Sequence, residues 1–189
     1  RKQWELYARG VVGIVDVPDD VELNDRQRIQ VAAARSGEPH IDVQALRRFL
    51  STLVYPLFYL DFETLALAVP PYSGIRPYQA IPFQYSLHIV DYPGAAPRPV
   101  AFLAEGGGDP RPEFLSALRS DLGELGDLGE LEQEGTVVAF NATFERSRLV
   151  ELAAAYPEHA EWIERVGQRF VDLLVPLRSF AYYHPSQLG

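Results

Sequence analysis

The sequence predicts a mixed α/β layer fold with a central sheet, and three observations support this class. Apolar or alternating segments typical of strands occur at 57–63, 81–103 and 136–140. Segments with helical spacing precede, separate and follow them. Hydrophobic residues make up 47% of the 189 residues, which is enough for the core of one domain or of one domain with a small appendage.

The first 50 residues are predicted to form a helical lead-in or linker. Its first helix ends at Gly10, and Asn24 and Asp42 are favourable N-caps for two more helices. No chemistry is evident in this segment, so its expected role is packing or connection to an upstream domain. Residues 51–189 are predicted to form the domain that carries the function.

The central strand at 57–63 ends in two carboxylates, Asp61 and Glu63. An apolar run of this length predicts a strand that is buried on both faces. Side chains alternate along a strand, so Asp61 and Glu63 share one face. Buried charge is costly unless it is paired or bound to a cation, and carboxylates are the ligands that hard divalent ions prefer. The pair therefore indicates a Mg²⁺ or Mn²⁺ site.

A hairpin is predicted at 81–103, and its first strand alternates so that Gln84 and His88 share the polar face. A loop rich in proline and tyrosine joins the central strand to this hairpin. The later elements are predicted from periodicity and end signals. They are a helix at 112–122, an acidic turn or short helix at 123–135, a strand at 136–140, helices to about 156 and at 158–167, and a last helical segment at 170–183 around Pro176.

A third acidic residue, Glu145, lies in the first turn of the helix after the strand at 136–140. Leu149 and Leu152 follow at four and seven positions, so Glu145 lies on the apolar face of that helix. A negative charge near a helix N-terminus gains roughly 0.3–1 kcal/mol, which does not explain an inward orientation. A third carboxylate beside Asp61 would explain it.

Composition excludes several classes of site. The chain has no cysteine, which excludes disulfides, zinc–thiolate sites and thiol nucleophiles. The net charge of −9 argues against non-specific nucleic-acid binding over a broad surface, but not against an acidic nuclease site. No membrane span or signal peptide is evident, so a cytoplasmic location is expected. The absence of methionine indicates that the chain is part of a longer protein.

Two motifs resemble those of the DnaQ-like (DEDD) 3′→5′ exonucleases, which have a ribonuclease H-like fold. Asp61–Thr64 is similar to their first motif, and Phe140–Glu145 is similar to their second, with glutamate at the position that usually holds aspartate. More closely, the chain resembles a bacterial family, domain of unknown function 2779. The segments that carry this resemblance are 55–64, 76–79, 81–84 and 170–174.

The resemblance implies a ribonuclease H-like mixed sheet flanked by helices and a metal-dependent 3′→5′ exonuclease acting on single-stranded DNA or RNA. Asp61, Glu63 and Glu145 would be both catalytic residues and ligands of Mg²⁺ or Mn²⁺, with two ions about 3.5–4 Å apart. An upstream RecB/Cas4-like nuclease domain in the same full-length chain is also implied. The expected substrate-binding residues are Thr64, Tyr72, Arg76, Tyr78, Gln84, His88 and Asn141.

The family pattern also requires a third motif, a His or Tyr a few residues before a final Asp. No Asp follows His184 in the chain, so this motif is expected beyond residue 189, and the fragment is expected to be catalytically incomplete. Asp172 lies in the segment after the second motif and is expected to be an N-cap.

Two other interpretations stay open. The first is a catalytically degenerate nuclease fold that binds nucleic acid or a partner protein. The second is a glycosidase pair, whose carboxylates flank a sugar at about 5–9.5 Å. Asp61 and Glu63 lie side by side on one strand, so this interpretation ranks last.

Overall fold

The computed structural model describes residues 2–123 and 135–187. Its helices are α1 (Lys2–Ala8), α2 (Asp25–Ser36), α3 (Val43–Leu50), α4 (Arg111–Leu122), α5 (Thr143–Ala155), α6 (Ala160–Gln168) and α7 (Leu174–Arg178). Its strands are β1 (His40–Ile41), β2 (Leu57–Leu65), β3 (Ile81–Val90), β4 (Arg98–Leu103), β5 (Thr136–Ala139), β6 (Phe170–Asp172) and β7 (Tyr182–Tyr183). Short 3-10 helices cover Ile14–Asp16 and Pro157–His159. The acidic segment predicted at 123–135 lies almost wholly outside the described residues.

The chain divides into two compact units. The first contains the residues up to Ser51 together with those from Leu174 onward, and the second is Thr52–Leu173. Every predicted catalytic and substrate-binding residue belongs to the second unit. No helix in the described part of the chain is both long and apolar enough to cross a bilayer.

The first unit confirms the helix caps that the sequence predicts. Asn24 Oδ1 accepts a hydrogen bond from the Gln27 N–H at 2.9 Å, and the Gln27 side chain accepts from the Asn24 N–H at 3.1 Å. This capping box satisfies two donors that a helix start would otherwise leave unpaired. Asp42 caps α3 by accepting from the Ala45 N–H at 2.9 Å. β1 pairs with β7 in an antiparallel two-stranded sheet.

The second unit is built on a five-stranded mixed sheet in the order β4-β3-β2-β5-β6. β3 runs antiparallel to β2 and β4, which confirms the predicted hairpin, while β5 and β6 run parallel to β2. The carboxyl ends of β2, β5 and β6 therefore lie at the same edge of the sheet. This is the mixed α/β architecture that the sequence predicts.

One face of this sheet packs against α4, α5 and α6. The ring of Phe114 on α4 contacts Phe62 and Tyr85 edge-on, with ring centroids 5.0 and 5.4 Å apart. Burial of such rings is the main source of stability in a core of this kind. The other buried residues of the core are Phe58, Leu60, Leu87, Ile89, Leu115, Leu118, Leu122, Val137, Leu149, Leu152, Trp162, Ile163 and Val166.

The opposite face of β2 is open to solvent along its second half, so the prediction of a strand buried on both faces is wrong. Leu60 and Phe62 are buried, but Tyr59, Asp61 and Glu63 are exposed. The three helices of the core pack on the face that carries Phe62. On the other face the two carboxylates keep their hydration and therefore bear no cost of burial.

The prediction of a helical segment from residue 170 is also wrong at its start. Phe170–Asp172 forms β6, and only Leu174–Arg178, around Pro176, is helical. A segment of three residues is too short for its spacing to distinguish strand from helix. Its conformation is decided by parallel pairing with β5, in which Val137 lies opposite Phe170 and Ala139 lies opposite Asp172.

Candidate functional site

Three carboxylates from different elements lie near the carboxyl ends of β5 and β6, beside the middle of β2. Asp61 lies on β2, Glu145 in the first turn of α5, and Asp172 at the end of β6. The negative charges of Asp61 and Asp172 both raise the pKa of Glu145. Because a charge shifts another group's pKa appreciably only over a limited distance, Asp61 and Asp172 each lie within electrostatic range of Glu145.

Glu145 is the buried member of this group. Only 2% of the residue is exposed, and its Oε2 atom has no hydrogen-bond partner among the described residues. The pKa of Glu145 is raised to about 7, and burial is the main cause. A hydrogen bond from the glutamate's own backbone lowers this pKa, and the negative charges of Asp61 and Asp172 raise it. Glu145 therefore exchanges its proton near neutral pH. The predicted inward orientation of this side chain is confirmed.

Asp61 and Glu63 share the exposed face of β2, as predicted from strand alternation. Across the antiparallel pair, Glu63 lies opposite Gln84, and Tyr59 lies opposite His88. Residues opposite each other across such a pair share a face, so Gln84 and His88 lie on the same side of the sheet as the two carboxylates. Burial makes an unpaired charge costly at Glu145, but not at these two exposed acids.

A β-bulge follows Glu63. The register shifts between Glu63 and Thr64, so that Thr64 pairs with Pro82 and Phe83 has no residue directly opposite it on β2. A bulge bends its strand and changes the direction of the side chains beside it. The predicted substrate-binding residue Thr64 is half-buried at this point.

Asn141 forms the turn between β5 and α5. Its φ of 67° lies in the left-handed region, which asparagine tolerates better than most residues. Its N–H donates to Asp172 Oδ1 at 2.8 Å, and its carbonyl accepts from the Phe144 N–H at 3.0 Å. This geometry supports a role for Asn141 in shaping the site, and it links Asp172 to the start of the helix that carries Glu145.

Asp172 is the site residue whose position the sequence analysis did not predict. An N-cap was expected there, whereas the residue ends a strand of the central sheet and accepts the Asn141 hydrogen bond. A signal was available in the sequence. Phe170-Val171-Asp172 repeats the pattern of Tyr59-Leu60-Asp61, two apolar residues followed by aspartate.

The loop between β2 and β3 is anchored to α5. Gln79 Nε2 donates to Glu151 Oε2 at 3.4 Å, and Arg148 donates to the other oxygen of Glu151 at 2.8 Å. This loop carries Tyr72, which is half-buried, and Arg76 and Tyr78, which are exposed. Their roles in binding a substrate stay predictions.

Two exposed aromatic residues flank the Asn141 turn and were not predicted as site residues. Phe140 is 62% exposed and Phe144 is 37% exposed. The Arg148 guanidinium lies over the Phe144 ring, 5.5 Å from its centroid. The available signal was the pair of phenylalanines on either side of the Asn141 turn, one after a strand and one in the first turn of a helix.

The predicted metal ligands are not preassembled. In residues 2–123 and 135–187, no group of three or more His, Asp or Glu side chains is placed so that it could hold a metal ion. The donors nevertheless suit Mg²⁺ or Mn²⁺ in kind, because carboxylate oxygens are hard ligands and no described residue gives Glu145 Oε2 a hydrogen-bond partner. Repulsion between neighbouring carboxylates opposes closer approach while no cation is bound.

Comparison with known proteins identifies the family. No curated protein and no solved structure matches the chain. A family model described as a domain of unknown function (DUF2779) matches residues 58–189, which is well over half of the chain and includes Asp61, Glu145 and Asp172. The chain therefore belongs to the family described as a domain of unknown function (DUF2779).

Proposed function

We propose that the chain is a metal-dependent 3′→5′ exonuclease-like domain that hydrolyses phosphodiesters in single-stranded DNA or RNA. The observation that carries this proposal is Glu145, a buried carboxyl on which Asp61 and Asp172 act and whose Oε2 has no hydrogen-bond partner among the residues that the structure describes. Leaving such a group buried without a partner is costly. A Mg²⁺ or Mn²⁺ ion would supply the partner and offset the repulsion among the three acids.

The topology supports a ribonuclease H-like identity for the sheet. In the sheet order β4-β3-β2-β5-β6, β3 runs antiparallel to its two neighbours. The other four strands run parallel to one another. A mixed central sheet flanked by helices is what the resemblance to the ribonuclease H-like superfamily implies. It brings the first-motif residue Asp61 and the second-motif residue Glu145 to one edge, as the two-motif resemblance requires.

In this proposal Asp61 and Glu145 bind the ion, and Glu63 contributes an oxygen from the open face of β2. An ion held there would supply an activated water and would stabilise the charge on the leaving oxygen. Phe140 and Phe144 offer exposed rings for stacking unpaired bases, which is worth about 1–3 kcal/mol per base. Arg76 is the cation proposed to meet a phosphate.

A second candidate is a module that binds nucleic acid or a partner protein without cleaving. The placement of the acids favours this second candidate. Among the described residues, the acids do not form a group that could hold an ion. The two candidates make different predictions for the same preparation of protein.

The metal site is tested by thermal unfolding in the presence of Mn²⁺. At a hundredfold excess over the dissociation constant, binding contributes about 2.7 kcal/mol and raises the Tm by roughly 5–10 °C. Asp61→Asn and Glu145→Gln are expected to abolish this rise. The matched control is Glu113→Gln, an exposed glutamate in the first turn of α4, which should keep the full rise. Equal rises in all four proteins, or none in the wild type, would contradict a metal site at these residues.

Activity is tested with 5′-labelled single-stranded DNA and RNA on a chain extended past residue 189, because the sequence predicts the third motif there. A ladder of products shortened from the 3′ end, dependent on Mn²⁺ and lost in Asp61→Asn, supports the exonuclease. Metal-dependent retention of the oligonucleotide without shortening supports the binding module instead.

A further inference from the structure

We propose that Asp172 is a positioning residue, which holds the Asn141 turn and thereby fixes the start of α5 and the place of Glu145. This inference rests on the proposed function, because the site that Asp172 positions is the proposed metal site. It assigns Asp172 a role other than the predicted N-cap and other than that of a metal ligand.

The backbone around Asp172 is a fixed base for this role. The residue lies opposite Ala139 in the parallel pairing of β5 with β6. On one side the Leu173 N–H donates to the Ala139 carbonyl at 2.9 Å, and on the other the Val137 N–H donates to the Arg169 carbonyl at 3.0 Å. A side chain held on a regular strand places a hydrogen-bond acceptor more accurately than one on a loop.

The turn that Asp172 contacts needs such support. Asn141 has a positive φ, and a residue outside the common backbone regions persists only when its surroundings hold it there. The Asn141 N–H donates to Asp172 Oδ1 at 2.8 Å, and this oxygen is the acceptor that holds the turn. α5 begins at Thr143, so Glu145 follows this turn directly.

Asp172 has two properties that substitutions can separate. Its Oδ1 accepts the hydrogen bond, and its negative charge acts on Glu145. Asp172→Asn keeps an acceptor at the same place and removes the charge. Asp172→Glu keeps the charge and moves the acceptor by one methylene. A positioning role predicts that the asparagine variant resembles the wild type and the glutamate variant does not, whereas direct ligation predicts that the asparagine variant loses Mn²⁺ affinity.

The test compares these two variants by Mn²⁺ affinity from calorimetry and by hydrogen exchange of the Asn141 and Phe144 amides. Asp172→Asn should stay within about threefold of the wild type in both measurements. Asp172→Glu should bind Mn²⁺ about 10–100-fold more weakly, as is typical when the support of a metal ligand is lost, with faster exchange at both amides. Asp121→Glu is the matched control. It makes the same change at another hydrogen bond between elements, Tyr85 OH to Asp121 at 2.5 Å, and should leave both measurements unchanged.

A loss of Mn²⁺ affinity in Asp172→Asn as large as that in Asp172→Glu would overturn the positioning role, because it would show that the charge itself is required. Unchanged affinity and exchange in Asp172→Glu would also overturn it. If the wild type does not bind Mn²⁺, the proposed function fails. The exchange rates of the two amides then decide the positioning role alone, since they need no metal.

Discussion

The backbone N–H of Asn141 donates to Asp172 Oδ1 at 2.8 Å, which joins the ends of two adjacent parallel strands. One of these strands leads into the helix that carries Glu145, and the other ends at Asp172 itself. The hydrogen bond therefore links Asp172 to the turn that leads to Glu145, although these two acids are far apart in the sequence. Asp61 completes the group from the neighbouring strand, so the site is a property of the sheet edge.

The first prediction concerns the pH dependence of stability. The pKa of Glu145 is about 7 in the folded protein against an ordinary value of 4.5. The folded state binds this proton more tightly than the unfolded state does. The resulting stabilisation is therefore fully present below pH 4.5 and is lost as the pH rises to about 7. Above that pH the stability no longer depends on this group. The loss is roughly 3 kcal/mol.

Glu145→Gln removes this dependence. Relative to the wild type, the variant should be about 2.5 kcal/mol more stable at pH 8 than at pH 5, measured by urea unfolding without divalent ions. Glu113→Gln, the exposed counterpart in α4, should show the same difference from the wild type at both pH values. A constant difference for Glu145→Gln would contradict the raised pKa.

The second prediction concerns the electrostatic link between Asp61 and Glu145. Asp61→Asn removes one neighbouring negative charge, so the pKa of Glu145 should fall, while burial keeps it above 4.5. The carboxyl carbon signal of Glu145, followed by NMR during a pH titration, measures this change. Glu63→Gln, two residues along the same strand, is the control and should lower the Glu145 pKa less. An unchanged midpoint in Asp61→Asn would show that the two acids are not neighbours.

The third prediction concerns a buried ion pair away from the site. The Arg111 side chain donates to Asp109 at 2.6–3.1 Å, and its guanidinium lies 5.4 Å from the centre of the Tyr156 ring. Arg111 is 8% exposed, so Asp109→Ala would leave a buried charge without its partner. The expected loss of unfolding free energy is about 3 kcal/mol.

Urea unfolding at pH 7 measures this loss. The control is Glu161→Gln, which removes an exposed ion pair with Arg165 at 3.4 Å and should cost less than about 0.5 kcal/mol. Similar costs for the two variants would mean that the Asp109 pair contributes no more than a surface pair does.

The fourth prediction concerns Gly135, which precedes β5. Its φ is +64°, and a Cβ added there would lie 2.3 Å from the Pro56 carbonyl oxygen. That oxygen accepts the Thr136 N–H at 3.0 Å, so it cannot easily move away. Gly135→Ala should therefore cost more than about 3 kcal/mol in urea unfolding. Gly74 also has a positive φ, but a Cβ added there would meet open space. Gly74→Ala should therefore lower the free energy of unfolding by about 1 kcal/mol. Equal costs would show that the backbone conformation, and not the contact with Pro56, limits this position.

Much of the fold follows from local signals in the sequence. The strand at β2, the hairpin of β3 and β4, and the caps Asn24 and Asp42 are confirmed at or near their predicted bounds. Each depends on residues close together in the chain, namely alternation along a strand or a side chain that satisfies the first turn of a helix. The inward orientation of Glu145 was predictable for the same reason, because helical spacing alone sets it.

Other features depend on which elements pack together. Whether both faces of β2 are buried is decided by the helices that cover the sheet, and they leave Asp61 and Glu63 exposed. β6 is a strand because β5 pairs with it, since three residues have no periodicity of their own.

The sequence by itself determined the central strand, its acidic pair and the glutamate that faces inward from α5. Only the tertiary structure decided that Asp172 joins Asp61 and Glu145, and that Glu145 carries a pKa near neutral. The physical reason is that burial and electrostatic coupling act through space. Asp61 and Asp172 are about 110 residues apart in the chain, and both act on Glu145 because β2, β5 and β6 are neighbouring parallel strands of one sheet.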